Sequence, residues 1–465
     1  MRQGKWLPNC HVKRLRSYGV STMAGLMEDV ARIGEQEEKK IPVSRPESRP
    51  HLDFSRRIPD LDGYRGIAVA VCLFFHYIWV ATLAPPPNRL DLLHKSTSLI
   101  LSGMEMFFVL SGFLIGGILL DARNSPNYFS TYYIRRFCRI LPAYLLFFSL
   151  VGIAYLVVYR LIGGRLDWAF AGNLPWYSYL TFTQNFSMAT GNTFGTPILG
   201  ITWSLAVEEQ FYLVLPIIIR FVRRSALPYV FMAGIVIAPI ARLVIVYKFR
   251  GHLLATYVLL PSRMDSLFLG VLCAYYLREP GAWNWLVKHR GTVWKVLLGL
   301  LAGMPLLSNA ALPFTLMWLT VGIGWMSVFF VVVLILALTE SRSLLSRTLR
   351  WRWFTGLGAI GYGVYLFHQT IYFSCVSMLG GNGWHLANWR DLEATLLATA
   401  ITIAFSTLSW RYFEKPIVRW SHCRTYGQMA SKAAHAKDAS VIWATLNDTQ
   451  NLLGAAQVPE EPGPL

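Results

Sequence analysis

Cysteine is sparse in this chain: Cys10, Cys72, Cys138, Cys273, Cys375 and Cys423 are scattered with no paired spacing. That excludes a disulfide framework and leaves them as small buried hydrophobes. The ten histidines include no pair at helical ligand spacing inside an apolar run, so no metal is expected, and no cofactor is implied. Residues 1–57 hold no apolar stretch of the signal-peptide kind. They are polar, with charge runs such as Glu35-Gln36-Glu37-Glu38-Lys39-Lys40, and read as a disordered cytoplasmic leader. No internal repeat of the type carriers use is visible. Acidic residues are outnumbered, 25 against 43 basic, for a net charge of +18. No segment is long enough to bury a basic soluble domain, however, so nucleic acid is not the expected partner.

What the chain has in abundance is apolar length. Hydrophobic residues make up 54% and aromatics 14% of 465 residues, with a mean hydropathy of +0.41, more than one soluble core would use. Runs able to cross a bilayer fall near 66–84, 98–119, 138–159, 201–219, 228–247, 258–277, 293–308, 317–338, 357–379 and 393–413. The expectation is an all-α integral membrane protein of about ten transmembrane helices. Lys and Arg crowd alternate connections, as in the clusters Arg135, Arg136, Arg139; Arg220, Arg223, Arg224; and Arg342, Arg347, Arg350, Arg352. The positive-inside rule then puts both termini in the cytoplasm and makes the net charge mostly a matter of topology. The expected organisation is a leader over 1–57, a transmembrane domain over 58–424 and a polar cytoplasmic tail over 425–465.

The first run holds Arg65 and His76, eleven residues apart; on a helix they share one face, about 20° apart, with a rise of roughly 16 Å. An ionisable group inside hydrocarbon costs about 2.5–3.5 kcal/mol on insertion scales, so His76 is a functional candidate by default. Arg65 can bind a phosphate, pair with Asp62 one turn earlier, or snorkel to the interface. Arg135 and Arg139 share a helical face with Arg136 adjacent, a set that suits a polyanion or anchors the inner end of a span. Glu208 shares a face with Ser204 and Tyr212, while Glu209 points about 100° away. Either carboxylate can pair with Arg242 or Arg263, and Arg263 equally with Asp265. Ser111, followed by Gly112, reads as a small-residue contact between helices rather than a nucleophile. Trp203 is placed beside the site, and Pro142 at a kink near the start of the third helix. His368 is a second buried imidazole whose role is not separable from packing. The aromatics between 160 and 200, among them Trp168, Trp176, Tyr177, Tyr179, Phe182 and Phe186, suit a membrane interface or a sugar face.

Taken in order, Asp60-Leu61-Asp62-Gly63-Tyr64-Arg65-Gly66, His76, Phe107 to Ile115, Arg135 to Tyr144, Trp203 to Tyr212, Arg263-Met264-Asp265-Ser266, Tyr362 to His368 and Arg411 to Pro416 resemble the membrane acyltransferase-3 family. The resemblance runs over about residues 58–420. It implies transfer of a short acyl group, acetyl first among them, from acyl-CoA as co-substrate to a hydroxyl of a saccharide or lipid-linked glycan. It also implies residence in a bacterial cytoplasmic membrane.

On that resemblance His76 is the base, or carries the acyl group covalently. Glu208 orients or stabilises its imidazole, and Arg65, Arg135, Arg136 and Arg139 bind coenzyme A. Asp62, Trp203 and Ser111 line the site. The chemistry demands a base for the hydroxyl proton, a seat for the donor's phosphates and a water-poor cavity. Two other classes fit the same composition: a proton-coupled transporter, and a non-catalytic sensor that keeps the fold. Acyl-CoA-dependent modification of an acceptor separates them, since a carrier leaves acyl-CoA intact and a sensor binds it without turnover.

Overall fold

A computed structural model of the protein describes residues 58–80, 102–161, 174–308, 315–379 and 389–427, with single positions between them. The leader expected over 1–57, most of the 425–465 tail, Cys10 and Trp168 lie outside the described residues. Every regular element among the described residues is helical. Helix is the secondary structure that satisfies each backbone N–H and C=O within its own segment in hydrocarbon.

The chain begins with α1, Pro59–Phe74, which widens into a π-helical turn, Phe75–Trp79. Next come α2, Gly103–Ala122, and the long α3, Tyr128–Leu161. Three short helices follow: α4 Trp176–Leu180, α5 Gln184–Gly191 and α6 Pro197–Gly200. Then come α7 Trp203–Phe221, α8 Leu227–Lys248, α9 Ala255–Val258 and α10 Met264–Tyr276. The second half comprises α11 Pro280–Lys288, α12 Arg290–Ser308, α13 Ile323–Thr339, α14 Leu344–Leu349, α15 Arg352–Met378, α16 Trp389–Ser409 and α17 Lys415–His422. Further π turns precede α13, at Trp318–Gly322, and join α16 to α17, at Trp410–Glu414.

Among the described residues, 8 helices are long and apolar enough to cross a membrane. The other two expected positions also hold helices. At 258–277 lies α10, whose 13 residues rise only about 20 Å and are preceded by the short turn Leu260–Arg263. At 357–379 lies α15, 27 residues long, which mixes Gly, Tyr, His368 and Gln369 into its apolar sequence. Two starts differ from the expected ones in a way that matters for the site. The third helix begins at Tyr128 rather than 138, so Arg135, Arg136 and Arg139 lie well inside it rather than at a loop. The first begins at Pro59 rather than 66, which puts Arg65 in its second turn.

Glycines set two close helix contacts. A Cβ on Gly66 would lie 1.9 Å from the Phe354 carbonyl oxygen, and one on Gly358 would lie 2.0 Å from that of Asp62, so α1 and α15 touch backbone to backbone. The same holds for α2 and α10, where a Cβ on Gly112 would lie 2.0 Å from Leu267 O and one on Gly270 2.1 Å from Val109 O. The Ser111–Gly112 pair thus serves helix packing, as its composition suggested.

Two ion pairs are buried inside the bundle: Arg242 with Asp265 at 2.7 Å and Arg263 with Glu105 at 2.5 Å. Neither arginine pairs with Glu208 or Glu209, and Arg263 takes Glu105 rather than Asp265. Arg242 also donates to the carbonyls of Leu319 and Ser262, and Arg263 lies 4.2 Å from the Tyr257 ring centroid and 5.4 Å from that of Trp203. Charges taken this deep persist only when paired and hydrogen-bonded in this way.

Candidate functional site

Among the described residues, two adjoining cavities share Met104 and Tyr365 as common wall. The first, about 550 Å³, is mostly apolar and aromatic, lined by Phe75, Trp79, Phe194, Trp203, Tyr257 and Trp318 together with Cys72, His76 and Gln369. The second, about 670 Å³, is basic: Arg65, Arg135, Arg136, Arg139 and Lys415 face it, against the carboxylates of Asp62 and Glu208. The residues read from sequence as one site are therefore divided, with His76 and Trp203 in the aromatic cavity and the others in the basic one.

His76 sits in the π turn that ends α1, where the widened helix re-aims side chains that an α-helical turn would stack. Its Nδ1 lies 3.0 Å from the Cys72 carbonyl oxygen, 3.6 Å from Cys72 Sγ and 3.2 Å from Nε2 of His368. On the facing helix, His368 Nδ1 lies 2.8 Å from the Tyr365 carbonyl oxygen and 3.2 Å from that of Val364. Carbonyls only accept, so each neutral ring carries its proton on Nδ1. His368 Nε2 is then an acceptor, and His76 Nδ1–H donates to it as well as to Cys72 O. The consequence is a fixed tautomer in which His76 Nε2 holds the lone pair. His76 itself is partly exposed, and it lines the aromatic cavity. Tyr77 ties the same two helices, donating to the His368 carbonyl at 2.7 Å and bonding the Thr402 hydroxyl at 2.9 Å.

In the basic cavity Arg65 pairs with Asp62 at 3.5 Å, as its spacing on the helix suggested. Arg135 donates to the Arg424 carbonyl at 3.0 Å and lies over the Tyr426 ring at 5.1 Å. Burial pushes the Tyr426 phenol up, while the charges of Arg135 and Arg136 pull it the other way. Arg136 lies over Tyr212 at 5.6 Å, and Arg139 meets Glu414 at 3.8 Å and the Trp410 ring at 4.9 Å. All three guanidiniums thus converge on one space.

Glu208, expected to orient His76, lines the basic cavity together with Ser111, Tyr212, Arg65 and Arg136. The carboxylate belongs to the basic cavity, whereas His76 takes His368 as its partner. Ser111, besides serving packing, also bonds the Tyr212 hydroxyl. Trp203 lines the aromatic cavity, its ring edge-on to Phe108 at 6.0 Å and tilted on Tyr257 at 4.6 Å.

Sequence reasoning gave Cys72 only a packing role, could not separate His368 from packing and assigned no role to Tyr365. Tyr365 bonds the Ser204 hydroxyl at 2.5 Å and the Ile201 carbonyl, which fixes the wall between the cavities. Helical ligand spacing within one run could not reveal a group that two helices assemble: Cys72, His76 and His368 each offer a ligand atom, and these atoms lie within 4.8 Å of one another. The one sequence signal for it was a second intramembrane histidine.

Residues 58–411 match the family profile described as an acyltransferase domain. Among curated proteins, the O-acetyltransferase OatA of Staphylococcus aureus strain NCTC 8325 is 24% identical over 381 residues, which covers 78% of this chain and 57% of that protein. OatA of strain COL matches to the same extent. The chain thus spans little more than half the length of the curated relatives it matches. No solved structure matches the chain.

Proposed function

The chain belongs to the acyltransferase-3 family, and on that premise we propose that it is an integral membrane O-acetyltransferase. In this reading it moves an acetyl group from acetyl-CoA to a hydroxyl of a saccharide or lipid-linked glycan, in a bacterial cytoplasmic membrane. The observation that carries the reading is the pair of adjoining cavities, one basic and one aromatic, with an imidazole of fixed tautomer lining the second. Coenzyme A's phosphates suit the basic cavity, where guanidiniums supply forked, charge-assisted donors. The positive-inside rule turns that cavity toward the cytoplasm, where acyl-CoA is found. The aromatic cavity, with flat rings and few polar groups, suits the apolar faces of a sugar ring.

The chemistry follows from the tautomer. His76 Nε2 takes the proton of the acceptor hydroxyl as its oxygen attacks the thioester carbonyl; the C–O bond forms, the C–S bond breaks, and the proton passes to the leaving thiolate. During that step His76 becomes imidazolium, and its Nδ1–H bond to His368 becomes charge-assisted and stronger. His368 acts as a positioning residue that also spreads the transient charge. Such base catalysis contributes about 10²–10⁴-fold. The pantetheine arm passes Met104 and Tyr365 to bring the thioester to His76, across the roughly 16 Å rise that separates Arg65 from it. Direct transfer within a ternary complex is favoured over an acyl-histidine because donor and acceptor have separate, adjoining spaces.

The test is consumption of acetyl-CoA by the purified protein in lipid nanodiscs, read as free thiol, with and without glycan extract. Acceptor-dependent thiol release supports the enzyme. Binding without release favours the sensor, and an absence of binding favours the transporter.

A further inference from the structure

Beyond acyl transfer, we propose that Cys72, His76 and His368 form a binding site for a thiophilic divalent ion such as Zn²⁺, and that its occupancy switches the enzyme off. Zinc takes Cys sulfur at about 2.3 Å and His nitrogen at about 2.0–2.1 Å in tetrahedral array, which sets ligand separations of about 3.3 Å for N···N and about 3.6 Å for S···N. The structure has 3.2 Å between His76 Nδ1 and His368 Nε2, and 3.6 Å between Cys72 Sγ and His76 Nδ1. All three ligand atoms lie within 4.8 Å of one another. A second observation points the same way. His368 already donates its Nδ1–H to the Tyr365 and Val364 carbonyls, the outer-shell bond that fixes a metal-ligating histidine. Cys72 and His76 both line the aromatic cavity.

The ion takes the place of the proton that His76 Nδ1 now shares with Cys72 O and His368. Bonds form from the metal to one sulfur and two nitrogens. The Cys72 S–H breaks and its proton leaves to solvent, while the His76 proton moves from Nδ1 to Nε2. With Nε2 protonated, the imidazole accepts no proton from an acceptor hydroxyl. Metal binding stands by itself; the switching rests on the proposed acyl transfer.

The experiment titrates the full chain in nanodiscs with Co²⁺, following thiolate-to-metal absorption, and then displaces the ion with Zn²⁺. The expected result is one equivalent bound with one proton released, weakened about 100-fold or more in Cys72→Ala and His368→Gln. Thermal unfolding verifies that these variants fold. If they do not, Zn²⁺ protection of Cys72 from maleimide labelling, mapped by mass spectrometry on the unmodified chain, takes their place. Absence of binding, binding unchanged in folded variants, or Cys72 labelling indifferent to Zn²⁺ overturns the site. Binding that leaves a measurable acyl transfer untouched overturns the switch. Binding by a protein that never consumes acetyl-CoA confirms the site while counting against the enzyme.

Discussion

Replacing His368 by alanine removes the acceptor of the His76 Nδ1–H bond but leaves Cys72 O, 3.0 Å away, to hold the tautomer. The base is therefore still present, and what is lost is stabilisation of the imidazolium that forms during transfer. A hydrogen bond to a charged group is worth about 1.5–3 kcal/mol, which corresponds to about a 10- to 150-fold fall in kcat. KM for acetyl-CoA should stay near its original value, since His368 is not among the residues lining the basic cavity. Asparagine, whose amide oxygen can accept in the same place, should recover part of the rate. Steady-state thiol release on the purified variants gives both constants, with thermal unfolding to exclude a collapse of this fully buried position. An unchanged kcat or a loss confined to KM would refute the assigned role.

Two further outcomes follow from the same geometry. Arg136→Gln removes one guanidinium from the basic cavity and should raise KM for acetyl-CoA about 10- to 150-fold, the worth of one charged hydrogen bond; a kcat effect with KM unchanged would place Arg136 outside donor binding. Glu105→Ala leaves Arg263 buried without its carboxylate, a change that costs about 3–5 kcal/mol and should lower the unfolding midpoint sharply. Adding Arg263→Met should restore part of it, and a single-variant loss below about 1 kcal/mol would show the pair to be incidental.

The span pattern and the motif series were legible because both are local. A bilayer demands a run of apolar residues, and helical periodicity assigns faces within each run. Arg65 with Asp62, the convergence of Arg135, Arg136 and Arg139, and the packing role of Ser111–Gly112 could all be read in that way. Periodicity does not say which face meets which, however. His368 faces His76 across 292 residues of chain because Gly66 and Gly358 let α1 and α15 touch, and nothing near either histidine encodes that distance. Glu208 shows the same limit: its helical face was legible, but not that this face lines the basic cavity beside Ser111 and Tyr212. Glu105 went unremarked in an apolar run, although a lone carboxylate there requires a buried arginine such as Arg263.

The most direct test of the central claim uses acetyl-CoA labelled on the acetyl group, the protein in lipid and host glycan extract, comparing the unmodified chain with His76→Ala. The account expects label on the glycan in a one-to-one ratio with released thiol, and a loss of about 100-fold or more in the variant. Glycan labelling that persists undiminished in a folded His76→Ala protein would contradict it.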